Sequence, residues 1–377
     1  MRVANLADFL IKLYNVGAVN HYRQSVLLLG PPGIGKSYTA RYSFAERMAS
    51  LLGKEFVDYD DDIAHTILKE PDRYFTYVDF RLTECEPSDL LGIPFRENGA
   101  VRFAPLLWAR VLSKTAGVLV LDELTNVQRD DVISVAYKIL FDRRVGFIKL
   151  GDDVMIIACG NRPEHSSVAR LLPTPLINRC LVVDVAPPTV DQWARFMDAT
   201  YSEWDRRVYA FLKAFEEEGY LLQVPRKMET LDPYPTPRTW TSLAIHMAKG
   251  VESRELVKGL VGEEVGQKFL AFLEVKVDVE ELIAEPQRWK RLSMDARYMA
   301  SVMLATWITR NIKRRVERCF RLMDVMSETG RDFIVITLIA IPDKRVRIPL
   351  VKALFQYDPR YKDFLLDVVS IKQMLKA

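Results

Sequence analysis

The octet Gly30-Pro31-Pro32-Gly33-Ile34-Gly35-Lys36-Ser37 constrains this chain more than any other feature of it. It follows the short apolar run Ser25 to Leu29 and precedes a helical pattern from Tyr38 to Leu52. Glycines at these spacings let main-chain N–H groups turn inward around phosphate oxygens. Lys36 can reach the β and γ oxygens of a nucleotide, and Ser37 can hold Mg²⁺. A strand that feeds a glycine-rich loop and then a helix belongs to a sheet whose strands are joined by crossover helices.

The rest of the first half fits that reading. Short apolar runs at Phe75 to Phe80, Gly117 to Leu121, Val154 to Cys159 and Leu181 to Val185 alternate with helical patterns at Pro105 to Ser113 and Asp131 to Phe141. Each run is apolar on both faces, as in a parallel sheet covered on both sides. The expectation is an α/β fold: an αβα phosphate-loop core on a parallel five-stranded sheet. After Ala186-Pro187-Pro188 the strand signals fade and amphipathic helical segments take over at Trp204 to Glu218, Pro237 to Lys249, Glu263 to Phe272 and Arg297 to Met326. With 377 residues, two or three packing units are expected. They are a core over 1–187, a helical lid over 188–275 and a helical extension over 276–377.

Composition narrows the function classes. Lys plus Arg number 53 against 50 for Asp plus Glu, too even a balance to imply nucleic-acid binding by itself. Cys85, Cys159, Cys180 and Cys319 lack CxxC spacing, which argues for reduced thiols in a cytoplasmic protein rather than a zinc site or disulfide framework. The apolar stretch Phe333 to Ile341 is well short of the roughly 18 residues that a membrane span needs, and no signal peptide is evident.

Two further sites complete a constellation. The run Val118 to Leu121 ends in Asp122-Glu123, carboxylates at the carboxyl edge of a buried strand, where open sheets hold their ligands. Asp122 is expected to hold Mg²⁺ through water and Glu123 to polarise the attacking water. The run Val154 to Cys159 leads into Gly160-Asn161, which sets an amide at a neighbouring strand tip to help place that water.

Taken together, the phosphate loop, Asp122-Glu123, Asn161, the Asn178-Arg179 pair and Pro237-Arg238 resemble an AAA+ ATPase of the MoxR-like branch. Support for the branch comes from Pro87-Ser88-Asp89-Leu90-Leu91-Gly92, Asp142-Arg143-Arg144-Val145-Gly146, Pro235-Thr236-Pro237-Arg238 and Gly259-Leu260-Val261-Gly262-Glu263. The resemblance covers about residues 1 to 275. It implies ATP bound by Gly30 to Tyr38 (Gly30, Pro31, Pro32, Gly33, Ile34, Gly35, Lys36, Ser37 and Tyr38), with Ser37 and Asp122 at Mg²⁺. It implies Arg179 as the arginine offered to a neighbouring subunit's γ-phosphate, with Arg170 in reserve, and Arg238 as the lid's sensor of that phosphate. Catalysis would rest on Lys36, Glu123, Asn161 and Arg179. The partners implied are copies of the chain in a ring, commonly a hexamer, and a separate protein client such as a von Willebrand factor A domain protein. Ile93 to Phe103 and Arg143 to Asp153 match the family's pore-facing hairpins.

Other features carry less. The acidic group Asp58, Asp60, Asp61 and Asp62 suits a helix N-terminus, and His165 suits a surface loop. His21, His65 and His246 have no metal-ligand spacing, and Cys159 and Cys180 suit packed thiols. The basic run Arg310, Lys313, Arg314, Arg315, Arg318 and Arg321 motivates a second reading, a nucleic-acid-dependent motor or restriction-type NTPase.

Overall fold

The computed structural model describes residues 1–20, 24–166, 168–225, 232–311, 316–341 and 343–366. His21, Lys313, Arg314 and Arg315 lie outside them. The chain divides into two compact units, Met1–Pro188 and a second built from Thr189–Pro225 and Leu231–Ala377.

The described residues of the first unit form ten strands: β1 (Val26–Leu29), β2 (Glu55–Asp58), β3 (Tyr74–Arg81), β4 (Pro94–Glu97), β5 (Ala100–Phe103), β6 (Ala116–Asp122), β7 (Arg144–Val145), β8 (Ile148–Lys149), β9 (Val154–Gly160) and β10 (Leu181–Asp184). Six of them form one sheet in the order β10-β1-β9-β6-β3-β2, and every neighbouring pair in it is parallel. Leu27, Leu28, Val118, Leu119, Val120, Ile156 and Ile157 are all fully buried, because helices cover both faces.

The expectation of five strands needs correction to six. The additional strand, β2, carries only Phe56 and Val57 as apolar residues, both half-buried, between exposed Glu55 and Asp58. An edge strand is packed on one side only, so it lacks the apolar run that marks the central ones.

The strand order places β1 between β10 and β9, so that the phosphate loop leaves the sheet beside the tip of β9. Lys36–Tyr38 opens a helix that winds in π form over Thr39–Ala45 and returns to α form over Glu46–Leu51. Asp60 caps the helix Asp61–Lys69 by accepting from the Asp62 amide, which accounts for that part of the acidic group.

Strands β4 and β5 pair as an antiparallel hairpin around Asn98-Gly99. Both turn residues have positive φ, +52° and +79°, which is the mirror-image turn that suits the twist of paired strands. β7 and β8 form a second, shorter hairpin. Phe103 of the first and exposed Phe147 of the second meet with ring centroids 6.3 Å apart.

Every regular element among the described residues of the second unit is a helix. Arg206–Ala214, capped by Asp205, is shorter than the expected Trp204 to Glu218. The stretch expected as one helical region, Arg297 to Met326, falls on two helices, Met294–Asn311 and Phe320–Thr329, that overrun it at both ends. One apolar core runs from Val190 to Leu365. Phe211 lies at a hub of it, its ring 5.7 Å from Trp240, 5.1 Å from Phe269 and 5.6 Å from Phe272. Among the described residues no helix is long and apolar enough to cross a membrane.

Candidate nucleotide site

Parallel strands deliver their carboxyl ends to one edge of the sheet. There β1 runs into Gly30, β6 ends at Asp122, β9 ends at Gly160 and β3 ends at Arg81. The register sets Leu29 beside Gly160 and Arg81 beside Asp122, so residues far apart in sequence meet without long loops.

The glycines of the phosphate loop are required for two different reasons. Gly35 has φ +96°, a left-handed conformation, although a Cβ there would touch nothing within 4 Å. At Gly30 the constraint is space, since a Cβ would lie 2.3 Å from the Val185 carbonyl oxygen. Beyond the loop, the Thr39 amide donates to the Gly35 carbonyl at 2.9 Å and starts the helix that carries Lys36 and Ser37. Pro31 and Ile34 are buried beneath the loop, Pro32 and Gly33 are half-exposed, and the Tyr38 ring packs on Tyr42 at 4.5 Å.

Lys36 is buried, with only 8% of its surface exposed. Its Nζ donates to the Gly30 carbonyl at 2.8 Å, the Pro31 carbonyl at 2.9 Å and Asn161 Oδ1 at 3.1 Å. Ser37 Oγ donates to Asp122 Oδ2 at 2.6 Å, and Asp122 Oδ1 accepts from the Glu123 amide at 2.8 Å. A hydroxyl and a carboxylate in contact are hard oxygen donors of the kind Mg²⁺ takes together with phosphate oxygens and water. No group of three or more His, Cys, Asp or Glu that could hold a metal ion is found among the described residues.

Glu123 has φ +59°, unusual for a residue with a side chain. Its carboxylate accepts from Thr83 Oγ1 at 2.8 Å and lies 3.7 Å from Arg81 Nε. Neither partner carries a motif. The register of β3 against β6 brings them to Glu123, and only the sheet pairing reveals it.

Burial pushes the Cys159 thiol up to about 12, with the Asp122 charge adding to the rise and Lys36 and a hydrogen bond from Ser37 opposing it. His165, expected at the surface, is half-buried, and its Nδ1 finds no hydrogen-bond partner among the described residues. Burial holds its pKa below the usual histidine value; Glu164 opposes that shift, and the charges of Lys36 and Arg162 add to it.

The structure gathers Lys36, Ser37, Asp122, Glu123 and Asn161 at this edge, but it does not bring in Arg179. That side chain is exposed and sits over the Phe141 ring at 4.8 Å. Arg170 pairs with Asp130 at 2.6 Å. Arg238 is exposed in the first turn of Pro237–Ala248, a helix of the second unit closed by a capping box between Thr236 and Thr239.

Strand order and phosphate loop make the first unit an α/β phosphate-loop fold with a helical region behind it in sequence. No family model matches the chain, and no curated protein matches it. Solved structures that resemble it include the ORC2 protein of Aeropyrum pernix in ADPNP and ADP complexes, with TM-score 0.39 and 12% identity over 86% of this chain and 80% of that one. A RuvB mutant from Thermotoga maritima gives TM-score 0.34 and 15% identity over 76% of each chain. PCH-2 of C. elegans gives TM-score 0.31 and 12% identity over 72% of this chain, which spans 63% of the PCH-2 chain.

Proposed function

We propose that the chain is an ATP-hydrolysing AAA+ ATPase of the MoxR-like type, working as a ring of copies that remodels or activates a separate protein client. The observation that carries this reading is the convergence at one sheet edge of Lys36, the Ser37–Asp122 contact, Glu123 and Asn161. This is the minimum set for phosphoryl transfer to water: a cradle, a cation site and two groups to hold the attacking water.

The loop amides and Lys36 would bind the β- and γ-phosphates, Lys36 exchanging its carbonyl partners for phosphate oxygens. Ser37 and Asp122 would hold Mg²⁺, which would supply positive charge against the triphosphate. Glu123, freed from Thr83, would accept the proton of a water aligned by Asn161. Arg179 is exposed, as a residue offered to a second copy must be, and Leu171 and Ile177 on the same segment are exposed apolar side chains that suit a protein contact. The paired hairpins with Phe103 and Phe147 are the surface we assign to the client, for which a von Willebrand factor A domain protein is the expected type. All four cysteines are free thiols, which supports a cytoplasmic setting.

The test is ATP turnover by the purified chain and by Glu123→Gln over a range of protein concentrations. Turnover per subunit should rise with concentration and fall about 100-fold or more in the variant, which should retain ATP in a larger sedimenting species. Hydrolysis at full rate in the variant would remove Glu123 from its role. Strong stimulation by nucleic acid would replace the client reading with a nucleic-acid motor.

A further inference from the structure

Between the tip of β9 and the turn after Glu123 lies a buried threonine that the hydrolytic constellation does not include. Thr125 is 2% exposed and lies between the segments that carry Glu123 and Asn161. Its Oγ1 accepts the Asn161 amide hydrogen at 2.8 Å. Its carbonyl accepts the Arg170 amide at 2.7 Å, and the turn in which it sits is closed by the Asn126 amide donating to the Glu123 carbonyl at 2.8 Å. Its methyl lies against Gly160: a Cβ built on that glycine would be 2.7 Å from Thr125 Cγ2 and 2.9 Å from Thr125 Oγ1.

These contacts have a mechanical meaning. Glu123 leaves the sheet with a left-handed backbone, φ +59°, that its side chain does not favour, so something beyond local preference must hold it. Asn161 lies one residue past β9, where the ladder no longer fixes its amide. Thr125 supplies what both lack. The Leu124 amide donates to the Cys159 carbonyl at 2.9 Å, and with the Thr125 hydroxyl on the Asn161 amide this carries the pairing of the two strands past their ends. A β-branched side chain has few χ1 options, so its hydroxyl and methyl are presented in fixed directions. Gly160 is the residue that gives them room.

We propose that Thr125 is a positioning residue for hydrolysis: its hydroxyl fixes Asn161 relative to Glu123, and Gly160 is the small residue that admits it. The inference rests on the hydrolytic reading above. A water activated by one group and aligned by another must be held to within a fraction of an ångström, and the Thr125 hydroxyl bonds directly to the Asn161 amide while its main chain lies two residues from Glu123. Thr125 would touch neither substrate nor water and acts through Asn161.

The test is steady-state ATP hydrolysis and binding of a non-hydrolysable ATP analogue by the full chain, by Thr125→Val and by Thr125→Ser. Valine keeps the shape and removes the acceptor, so kcat should fall about tenfold or more while KM and analogue affinity stay within about twofold. Serine keeps the acceptor and should restore most of the rate. Rates for the valine variant equal to those of the parent chain would overturn the proposal. So would a joint loss in both variants with raised KM and a lowered thermal midpoint, the pattern of a packing residue. An inactive parent chain would instead bring down the hydrolytic reading, and the positioning role with it. Should Thr125→Val not fold, Gly160→Ala serves as the second probe. It should lower kcat by pushing on Thr125 and regain part of the rate when combined with Thr125→Ser, where one of the two crowded atoms is gone; no recovery in the pair would overturn the proposal.

Discussion

In the sheet unit the buried Lys36 ammonium is held by carbonyls of its own loop and by Asn161, whereas in the helical unit the buried guanidinium groups of Arg206 and Arg347 converge on Asp198. Arg206 Nη1 lies 2.7 Å from Asp198 Oδ1, Arg347 Nη1 lies 3.5 Å from Asp198 Oδ2, and the guanidinium of Arg206 stacks on Trp204 at 3.7 Å. Burial pushes Arg206 down to about 10 against the pull of Asp198. Carbonyl dipoles solvate a cation and can be exchanged for phosphate oxygens, which makes the first arrangement suited to a ligand. A carboxylate shared by two arginines ties the helix Val190–Thr200 to Arg206–Ala214 and Lys344–Tyr357, which makes the second a fixture of the fold.

Exchanging the deletions tests that difference most severely. Lys36→Ala should abolish measurable hydrolysis, about 100-fold or more, and barely move the thermal midpoint, because removing the buried ammonium also removes the cost of burying it. Asp198→Ala should do the reverse. It leaves two buried guanidinium groups without their carboxylate, at a cost of about 3–5 kcal/mol in chemical denaturation, while analogue affinity stays within about twofold. If Asp198→Ala weakened nucleotide binding as strongly as Lys36→Ala, the division between a ligand-facing and a fold-facing cation would fail.

A finer comparison lies within the sheet unit, between Glu123, the proposed base, and Thr83, which bonds to it. Thr83 donates to the Glu123 carboxylate at 2.8 Å, and in the proposed mechanism Glu123 gives up that bond to take a proton from water. Thr83→Val should raise basal turnover about threefold, the worth of one exposed hydrogen bond, and leave KM unchanged. A fall in turnover would show that Thr83 aids Glu123 rather than restraining it.

How much of this was legible in the sequence follows from where each signal resides. The phosphate loop, Asp122-Glu123 and Asn161 stand out because each occupies a strand end whose apolar run is itself readable, and the hairpin at Asn98-Gly99 announces itself through turn chemistry. Thr83, Thr125 and the edge strand Glu55–Asp58 are hidden because their meaning comes from register. Thr83 reaches Glu123 only once β3 is paired with β6, and Thr125 matters only beside Gly160. The helical unit was legible as helices, but its buried Arg206–Asp198–Arg347 cluster reads in sequence like scattered surface charge. A single core from Val190 to Leu365 likewise has no local mark.

The smallest effect concerns His165, beside the site but outside the hydrolytic set. Its pKa in the folded chain lies below the ordinary value of about 6.5 that it regains on unfolding. The unfolded chain therefore takes up the proton first as pH falls. The stability contribution of a neutral His165 is present above about pH 6.5 and is lost as pH drops through the folded-state value. Replacing it by glutamine, which cannot titrate, should leave stability at pH 7 to 8 nearly unchanged and flatten the decline on the acid side, measured as denaturation midpoints against pH. Were the parent chain and His165→Gln to decline in parallel below pH 6.5, the imidazole would have to take up its proton in the fold at the same pH as in the unfolded chain, with Glu164 offsetting burial, Lys36 and Arg162.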